Sequence, residues 1–446
     1  MKQTTFFFLG IGGISMSALA NLMLYEGHIV YGSDTTENTQ IIALRELGAI
    51  IHIGHATTNI PQHCNIIITN AAIPDNTPEL VFARQHNITI IDRSKFLAKI
   101  SRQYDNIIAV AGTHGKSTTT AMIGEIFKVS KKRPTVHNGA LRDTQNPLSN
   151  LEIGEKEFFI TEACEFKKSF LTLNPTTAVI TNINPDHMDC YDDMTDLLES
   201  FAKFSSQSKN TIFNPSCQNS QTIKSNLSSS SANTFFLQEN YSATDIKEYM
   251  PGYFSFTTAK LKIKLAIPGY HNIQNALLAI ATAKQYKILN RDITYALNKF
   301  RGIARRFETI GQIQDTKIII DYAHHPKEIE TTIKTTNSLF KNPLYIFQPH
   351  TYSRTKTLFS DFVNIFKSTQ TDPVILYKTY AAREKVIKGA TAKDIAIALD
   401  SKYFATELAL INHIKKLLHL HDSIIFIGAG NIDQVANNLL KTVDIS

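Results

Sequence analysis

Residues Asn106 to Thr120 read NIIAVAGTHGKSTTT, and this stretch decides the fold of the middle of the chain. Its first six residues are mostly apolar and β-branched, which predicts a buried strand. From Ala121 to Lys128 apolar residues recur at helical spacing, which predicts a helix. A glycine turn joins the two. Because backbone N–H groups and a helix N-terminus attract anions, the pattern predicts a phosphate-binding loop.

The loop has the parts that phosphate binding needs. Gly112 and Gly115 allow a tight turn, Lys116 adds a positive charge, and Ser117 supplies the hydroxyl that a phosphate-bound magnesium ion takes as a ligand. The pattern G-x-x-G-K-S is shorter than the standard G-x-x-x-x-G-K-[ST], whose first glycine would fall at Val110. A chance glycine turn with a solvated lysine is the alternative for this loop taken alone.

Length and composition limit the possible functions. A chain of 446 residues suggests about three domains, and 43% hydrophobic residues with a mean hydropathy of −0.12 predict a soluble protein. The net charge of +7 is not gathered into a face, since the longest basic cluster is Lys131–Arg133. We therefore expect no nucleic-acid partner, and anionic small substrates explain the charge equally well.

Cysteine usage and the N-terminus indicate the compartment. The cysteines show neither C-x-x-C spacing nor a disulfide framework, which predicts a reducing, cytoplasmic location. The apolar N-terminal run FFFLGIGG is broken by glycines and continues into a second strand, so we expect no export signal and no stable membrane insertion. The cysteines are Cys64, Cys164, Cys190 and Cys217.

A second glycine turn opens the chain. A strand at Thr5–Leu9, the turn GIGGISMS at Gly10–Ser17 and a strand at His28–Gly32 that leads to Asp34 predict a dinucleotide-type βαβ unit. Ser15 replaces the third glycine of the usual fingerprint. This turn alone would suit an NAD-dependent dehydrogenase as well as any other nucleotide-binding protein. Further strands at Ile66–Thr69 and Ile88–Ile91 extend the domain, and we place its end near residue 100.

Polar residues follow two later strands. The strand Glu157–Thr161 runs into Glu162, and the strand Ala178–Thr181 is followed by a loop that contains His187. Ligands bind beyond the carboxyl ends of parallel strands, so we expect both residues to lie near Lys116 and Ser117. Together they would form a magnesium site. A solvated strand-end acid and a loop histidine with ordinary partners are the alternatives.

The second half of the chain contains further elements. Residues 205–245 are rich in Ser, Asn and Gln, which predicts a surface excursion. Before the helix Ala276–Ala283, Asn272 and Asn275 lie three residues apart, so they either share a helix face or cap the helix. A third α/β alternation then begins, with predicted strands at 317–321, 344–348, 373–377 and 423–427. His324 and His325 could be a transition-metal pair, but no third ligand lies nearby in the sequence.

Eight segments in this order resemble the Mur ligase family, over essentially the whole chain apart from the Ser/Asn-rich excursion. They are GIGGISMS, AGTHGKSTTT, EACEFKKSFL, TNINPDHMD, PGYHNIQNAL, RRFE, DYAHHPKE and FQPHTYSRT. Each segment alone is modest evidence, whereas eight in order are highly specific.

The resemblance implies an α/β protein of three domains. They are a Rossmann-like domain for the UDP-substrate (residues 1–100), a central P-loop ATPase-like domain with a mostly parallel sheet (101–307) and a C-terminal Rossmann-like domain that closes on nucleotide and amino acid (308–446). The implied activity is the ATP-dependent joining of L-alanine to the lactyl carboxylate of UDP-N-acetylmuramate through an acyl phosphate, in cytoplasmic peptidoglycan precursor synthesis. The enzyme would use ATP and two Mg²⁺ ions. It would be a monomer or a homodimer.

The resemblance also implies roles for individual residues. Catalytic residues would be Lys116, Glu162, His187, Arg306 and His324, and magnesium ligands would be Ser117, Glu162 and His187. ATP would be bound by Gly112, Thr113, His114, Gly115, Lys116, Ser117, Thr118, His271, Asn272, Asn275, Arg306 and Asp321. The UDP-substrate would be bound by Gly10, Gly12, Gly13, Ser15 and Asp34, and L-alanine by Tyr322, His324, His350 and Arg354.

The sequence departs from the family pattern at two positions. Ser117 stands where threonine is more usual, which keeps the hydroxyl, and Thr351 stands where some members have an arginine. No residue is assigned as the base for the alanine ammonium. Alternative functions are a murein-peptide recycling ligase with the same chemistry and a non-catalytic nucleotide-binding protein of the same fold.

Overall fold

The computed structural model describes residues 3–186, 188–214, 216–227, 233–236, 241–368, 374–382 and 384–443. The chain divides into two compact units. The first comprises Met1–Thr244, Phe256–Lys264 and Gln274–Ile303, and the second comprises Asp245–Ser255, Leu265–Ile273 and Ala304–Ser446.

The strands are β1 (Thr5–Leu9), β2 (Ile29–Asp34), β3 (Ile50–Ile53), β4 (Ile66–Thr69), β5 (Thr89–Asp92), β6 (Asn106–Ala111), β7 (Thr135–His137), β8 (Leu151–Glu152), β9 (Phe158–Glu162), β10 (Thr177–Ile180), β11 (Asn210–Phe213), β12 (Asn233–Phe236), β13 (Thr244–Met250), β14 (Tyr253–Thr258), β15 (Leu261–Lys264), β16 (Glu308–Ile313), β17 (Thr316–Asp321), β18 (Pro343–Phe347), β19 (Val374–Tyr377), β20 (Tyr403–Phe404) and β21 (Ser423–Ile427).

The α-helices are α1 (Ile14–Tyr25), α2 (Thr39–Glu46), α3 (Pro78–Gln85), α4 (Arg93–Ser101), α5 (Lys116–Val129), α6 (Met194–Ser206), α7 (Gln218–Leu227), α8 (His271–Gln285), α9 (Asn290–Lys299), α10 (Pro326–Leu339), α11 (Tyr352–Thr357), α12 (Phe359–Ser368), α13 (Ala392–Leu399), α14 (Glu407–Leu417) and α15 (Ile432–Val443). Short 3-10 helices lie at Thr57–Asn59, Phe166–Thr172, Met188–Cys190 and Leu418–Leu420.

The first unit contains a five-stranded parallel sheet in the order β3-β2-β1-β4-β5. Its central strand is buried throughout, because Phe7, Phe8 and Leu9 pack on both faces. The predicted strands Thr5–Leu9 and Ile66–Thr69 are confirmed to the residue. The strand order reverses beside β1, which is where a nucleotide binds in an open parallel sheet.

A seven-stranded sheet in the same unit has the order β12-β11-β10-β6-β9-β7-β8. All neighbouring strands run parallel except β7 and β8. The predicted strand at Asn106–Ala111 is confirmed and lies at the centre of the sheet.

The predicted surface excursion at 205–245 is wrong at two segments, because Asn210–Phe213 and Asn233–Phe236 are the two outermost strands at one edge of the seven-stranded sheet. Asn210–Phe213 pairs with β10, and Ile212 and Phe213 are buried. These two apolar residues are enough to bury the strand in the core of the sheet. The prediction missed the strand because the residues around it are polar. The serine run 228–230 and residues 231, 232 and 237–240 lie outside the described residues.

The second unit contains a six-stranded sheet in the order β16-β17-β21-β18-β19-β20, parallel except for β16 with β17. Alternate residues of its strands face two different cores, as the period of a strand requires. Ile318 and Ile320 belong to one hydrophobic cluster, and Ile319 belongs to the other. Helices cover both faces, so the α/β fold with mostly parallel sheets is confirmed.

A smaller three-stranded sheet has the order β13-β14-β15. Within the residues described, no helix combines the length and apolar character that crossing a bilayer requires.

Candidate functional site

The glycine turn after β6 adopts a backbone that only glycine accommodates well. Gly112 has φ +128° and Gly115 has φ +81°, and α5 begins directly afterwards at Lys116. A Cβ at Gly112 would collide with Thr181 Oγ1, because β10 packs against the loop. The turn therefore brings backbone N–H groups to the N-terminus of a fourteen-residue helix.

Lys116 is held over this loop by several acceptors. Its Nζ donates to the carbonyl oxygens of Gly112 (2.6 Å) and Thr113 (3.1 Å) and to Glu165 Oε1 (3.2 Å). Only 13% of the Lys116 side chain and 2% of the Glu165 side chain are exposed. Burial lowers the pKa of Lys116, but Glu165, Cys164 and Glu162 together outweigh it, so the pKa is raised. Lys116 is thus a permanent cation at the helix N-terminus.

Ser117 and Glu162 meet at the end of β9, as the sequence predicts. Ser117 Oγ donates to Glu162 Oε2 at 2.6 Å, and the Gly139 N–H donates to the same oxygen at 3.1 Å. A hydroxyl and a carboxylate are the oxygen ligands that Mg²⁺ prefers. His187 lies outside the described residues. Among the residues that are described, no group of three or more His, Cys, Asp or Glu side chains forms a metal cluster.

Two asparagines after β10 support the loop, and sequence reasoning missed this role. Asn182 Oδ1 accepts from the His114 N–H at 3.0 Å, and its Nδ2 donates to His114 O at 2.9 Å. Thr113 Oγ1 donates to Asn184 O at 3.1 Å. Thr118, a predicted ATP-binding residue, is buried in the first turn of α5. The TNIN segment therefore fixes the loop.

Asn275 packs against the phosphate loop and the first turn of α5. Its Oδ1 accepts from Thr119 Oγ1 at 3.3 Å and lies 2.5 Å from the position a Cβ would take on Gly115. Because Asn275 is inside α8, the capping alternative is wrong for it. In the second unit, Asn272 Nδ2 donates to Pro268 O at 2.7 Å, and His271 is exposed at the start of α8.

The N-terminal glycine turn is hydrogen-bonded to Asp34, which is predicted to bind the UDP-substrate together with it. The Gly12 N–H donates to Asp34 Oδ2 at 2.9 Å, and the Gly10 N–H donates to Ser33 O at 2.8 Å. Gly13 precedes α1 as its N-cap residue with extended backbone and no side-chain cap. The N-terminus of α1 thus remains available to an anion.

Ser15 belongs to a hydrogen-bonded chain that the sequence did not reveal. Arg93 donates to Ser15 Oγ at 3.1 Å, and Ser15 Oγ lies 3.0 Å from His137 Nε2. His137 Nδ1 lies 3.0 Å from Thr161 Oγ1, next to Glu162. Burial and the charge of Arg93 lower the pKa of His137 to about 3, so this histidine is neutral. The spacing of these residues in the chain gave no signal of their contact.

The residues predicted to bind L-alanine lie together in the second unit. His324 Nδ1 is 3.0 Å from Tyr322 O, and the rings of His324 and His350 are 6.1 Å apart. Arg354 NH1 lies 3.4 Å from His350 Nδ1. The Arg306 guanidinium lies over the Tyr322 ring at 4.9 Å. A cationic and aromatic surface of this kind can hold a small amino acid by its carboxylate.

Asp321 ends β17 and is buried. Its Oδ2 accepts from the Phe307 N–H at 2.8 Å and its Oδ1 from the Ala323 N–H at 2.7 Å. Burial raises the pKa of Asp321 to about 6, although Arg306 acts in the opposite direction.

This raised pKa makes stability depend on pH. Between pH 4 and 6 the folded state holds a proton that the unfolded state has lost, so the free energy of unfolding falls as pH rises through this window. We expect Asp321→Asn to remove on the order of 2 kcal/mol of this decline. Urea unfolding of both proteins at pH 4.5 and 7 measures it. Equal pH dependence in parent and variant would contradict the assignment.

Three family models match the chain. They are the Mur ligase family catalytic domain over residues 5–105, the Mur ligase middle domain over 110–283 and the Mur ligase glutamate ligase domain over 305–430.

Curated relatives and solved structures match over nearly the full length. A UDP-N-acetylmuramate--L-alanine ligase of Caldicellulosiruptor bescii is 37% identical, over 98% of this chain and 98% of that protein. The protein of the same name from Clostridium beijerinckii is 36% identical over 99% and 98%. The crystal structure of UDP-N-acetylmuramate-alanine ligase MurC from Thermotoga maritima has a TM-score of 0.83 at 26% identity, over 99% and 100%. A murein peptide ligase from Psychrobacter arcticus shares the fold, with a TM-score of 0.75 at 21% identity over 99% and 98%. Because curated relatives are 36–37% identical to it over 98–99% of its length, the chain belongs to the Mur ligase family.

Proposed function

We propose that this chain is the ATP-dependent ligase that joins L-alanine to UDP-N-acetylmuramate in peptidoglycan precursor synthesis. The observation that carries the proposal is the phosphate loop with its buried Lys116 and its Ser117–Glu162 pair, in a chain that matches ligases of this name from end to end. ATP is the co-substrate that this family uses.

The reaction requires activation of a carboxylate, which is a poor acyl donor. The γ-phosphate of ATP passes to the lactyl carboxylate of UDP-N-acetylmuramate, and the amine of L-alanine then attacks the acyl phosphate. Phosphate leaves from the tetrahedral intermediate, which gives the amide. Lys116, fixed at the N-terminus of α5, faces the negative charge on the transferred group and stabilises it.

Ser117 and Glu162 fit a magnesium ion, because both offer oxygen ligands at the carboxyl end of the sheet. Together with His187 they would hold the two ions predicted for this site. A magnesium ion held there would neutralise negative charge on the reacting anions. The Gly139 N–H keeps the Glu162 carboxylate oriented toward Ser117.

The remaining substrates would be divided among the predicted domains. The glycine turn at Gly10–Gly13 with Ser15 and Asp34 would bind the UDP moiety in the domain 1–100. Thr113, His114 and Thr118 would complete the ATP site in the domain 101–307, with His271, Asn272 and Asn275 toward the adenine. In the domain 308–446, Asp321 would bind the ribose, and Tyr322, His324, His350 and Arg354 the amino acid, with Arg306 on the nucleotide. The enzyme would act in the cytoplasm, where its nucleotide and amino-acid substrates are found, as a monomer or homodimer.

A product assay separates this function from its alternatives. Formation of ADP and phosphate should require both UDP-N-acetylmuramate and free L-alanine. A recycling ligase would instead accept L-Ala-γ-D-Glu-meso-diaminopimelate, and the relatives at 35–37% identity do not favour that activity. A non-catalytic nucleotide-binding protein would release no ADP, and a dehydrogenase would change the absorbance of a reduced cofactor.

Arg354→Ala should raise the KM for L-alanine by roughly 10- to 100-fold, because a charge-assisted hydrogen bond contributes about 1.5 to 3 kcal/mol. Thr351 stands where some family members have a further arginine, so the carboxylate of alanine would depend more heavily on Arg354. Steady-state assays with alanine, glycine and serine test this, and KM for ATP should stay constant. Lys356→Ala, in the same helix, is the control. A raised KM for ATP with an unchanged KM for alanine would move Arg354 to the nucleotide site.

A further inference from the structure

All three N–H donors of the Lys116 ammonium group have acceptors within the protein. Its three N–H bonds can be matched with Gly112 O, Thr113 O and the carboxylate of Glu165, at 2.6, 3.1 and 3.2 Å. A phosphate that reaches Lys116 must therefore share the ammonium with these acceptors or replace one of them.

The carboxylate of Glu165 is stabilised mainly by Lys116. Its side chain is 2% exposed, and both carboxylate oxygens lie within 3.2 Å of Lys116 Nζ. Within the described part of the chain, Oε2 has its ion pair with Lys116 and no hydrogen bond from another group. The hydroxyl of Tyr191 donates to the backbone oxygen of Glu165 at 2.6 Å, which fixes the main chain but leaves the carboxylate to the lysine.

We propose that Glu165 is the counter-ion that positions Lys116 over the phosphate loop and weakens the binding of the ATP and ADP phosphates there. The inference rests on the proposed function, since it takes the loop to be the ATP site. Glu165 and a phosphate are both anions and both compete for one ammonium. Two anions that share one ammonium repel each other, and this repulsion weakens the binding of the phosphate.

Replacing Glu165 by glutamine isolates the charge. Glutamine keeps the size and one acceptor oxygen for Lys116 but removes the negative charge. Aspartate keeps the charge on a shorter side chain, so Glu165→Asp should preserve the parent affinity. Glu125→Gln, in α5 itself, removes a carboxylate that pairs with Arg142 at 2.5 Å and serves as the matched control.

The test is calorimetric titration of the full-length protein with ADP and with tripolyphosphate. We expect Glu165→Gln to bind both on the order of tenfold more tightly than the parent. Glu165→Asp and Glu125→Gln should match the parent. Equal or weaker binding by Glu165→Gln would overturn the inference. Absence of ADP binding to the parent would instead remove the proposed function.

A stability measurement tests the ion pair without any ligand. Lys116→Ala leaves the carboxylate of Glu165 buried and unpaired, which is strongly destabilising. The double variant Lys116→Ala/Glu165→Gln removes that charge, so its Tm should exceed that of Lys116→Ala. A Tm equal to or below that of the single variant would show that Glu165 is not the counter-ion of Lys116.

Discussion

Lys116→Ala should lower turnover by on the order of 10³-fold or more while UDP-N-acetylmuramate still binds. In the proposed function the lysine at the N-terminus of α5 would meet the charge that develops on the transferred phosphoryl group, whereas the uridine nucleotide is assigned to the glycine turn at Gly10–Gly13. Release of ADP under saturating substrates measures turnover, and calorimetry measures binding of UDP-N-acetylmuramate.

The double variant Lys116→Ala/Glu165→Gln keeps this test valid if the single variant unfolds, because it leaves no unpaired buried charge. Lys128→Ala, at the other end of α5, removes an exposed lysine that pairs with Glu152 and should be fully active. Near-parental turnover in the double variant would contradict the placement of the phosphate loop.

Glu162→Gln should raise the Mg²⁺ concentration for half-maximal activity by at least roughly 10- to 100-fold. Removing a residue that only supports a metal ligand already lowers metal affinity by this factor, and Glu162 is proposed to be a ligand itself. Glutamine keeps the acceptor for Ser117 and Gly139 but has no charge for the ion. Magnesium titrations of the rate at saturating ATP measure the effect.

Glu157→Gln is the matched control, because Glu157 immediately precedes the opposite end of β9 and pairs with the exposed Lys132. Its magnesium titration should overlay that of the parent. If the titration of Glu162→Gln also overlays the parent, Glu162 is not a metal ligand. His187→Ala should shift the titration in the same direction as Glu162→Gln.

The strands and the Ser117–Glu162 pair could be predicted because their signals are local. Buried parallel strands are continuous apolar runs, and polar residues that end such strands converge at one edge of the sheet. The pattern therefore gave β1, β4, β6 and β21 to the residue. It failed at β11, where the apolar run is short and its neighbours are polar.

Other site residues could not be predicted because their partners are distant in the chain. Glu165 reads as one more acid in a charged segment until the fold places it on Lys116. Likewise, only the tertiary structure brings Arg93 and His137 to Ser15. Asn182 had a weak local signal as a polar residue after β10, but its two bonds to His114 depend on the register of β10 with β6.

The central position of β6 has a consequence for the synthesis of the protein. The two strands that flank β6, β9 and β10, both follow the phosphate loop in the chain, and β10 supplies the wall against Gly112. A nascent chain that ends at residue 150 holds every residue of the loop and neither neighbouring strand. Such non-local pairing forms late in folding. We therefore expect the loop to gain its shape only after translation has passed residue 180, and ATP added to ribosome-bound chains to stabilise only those beyond that length.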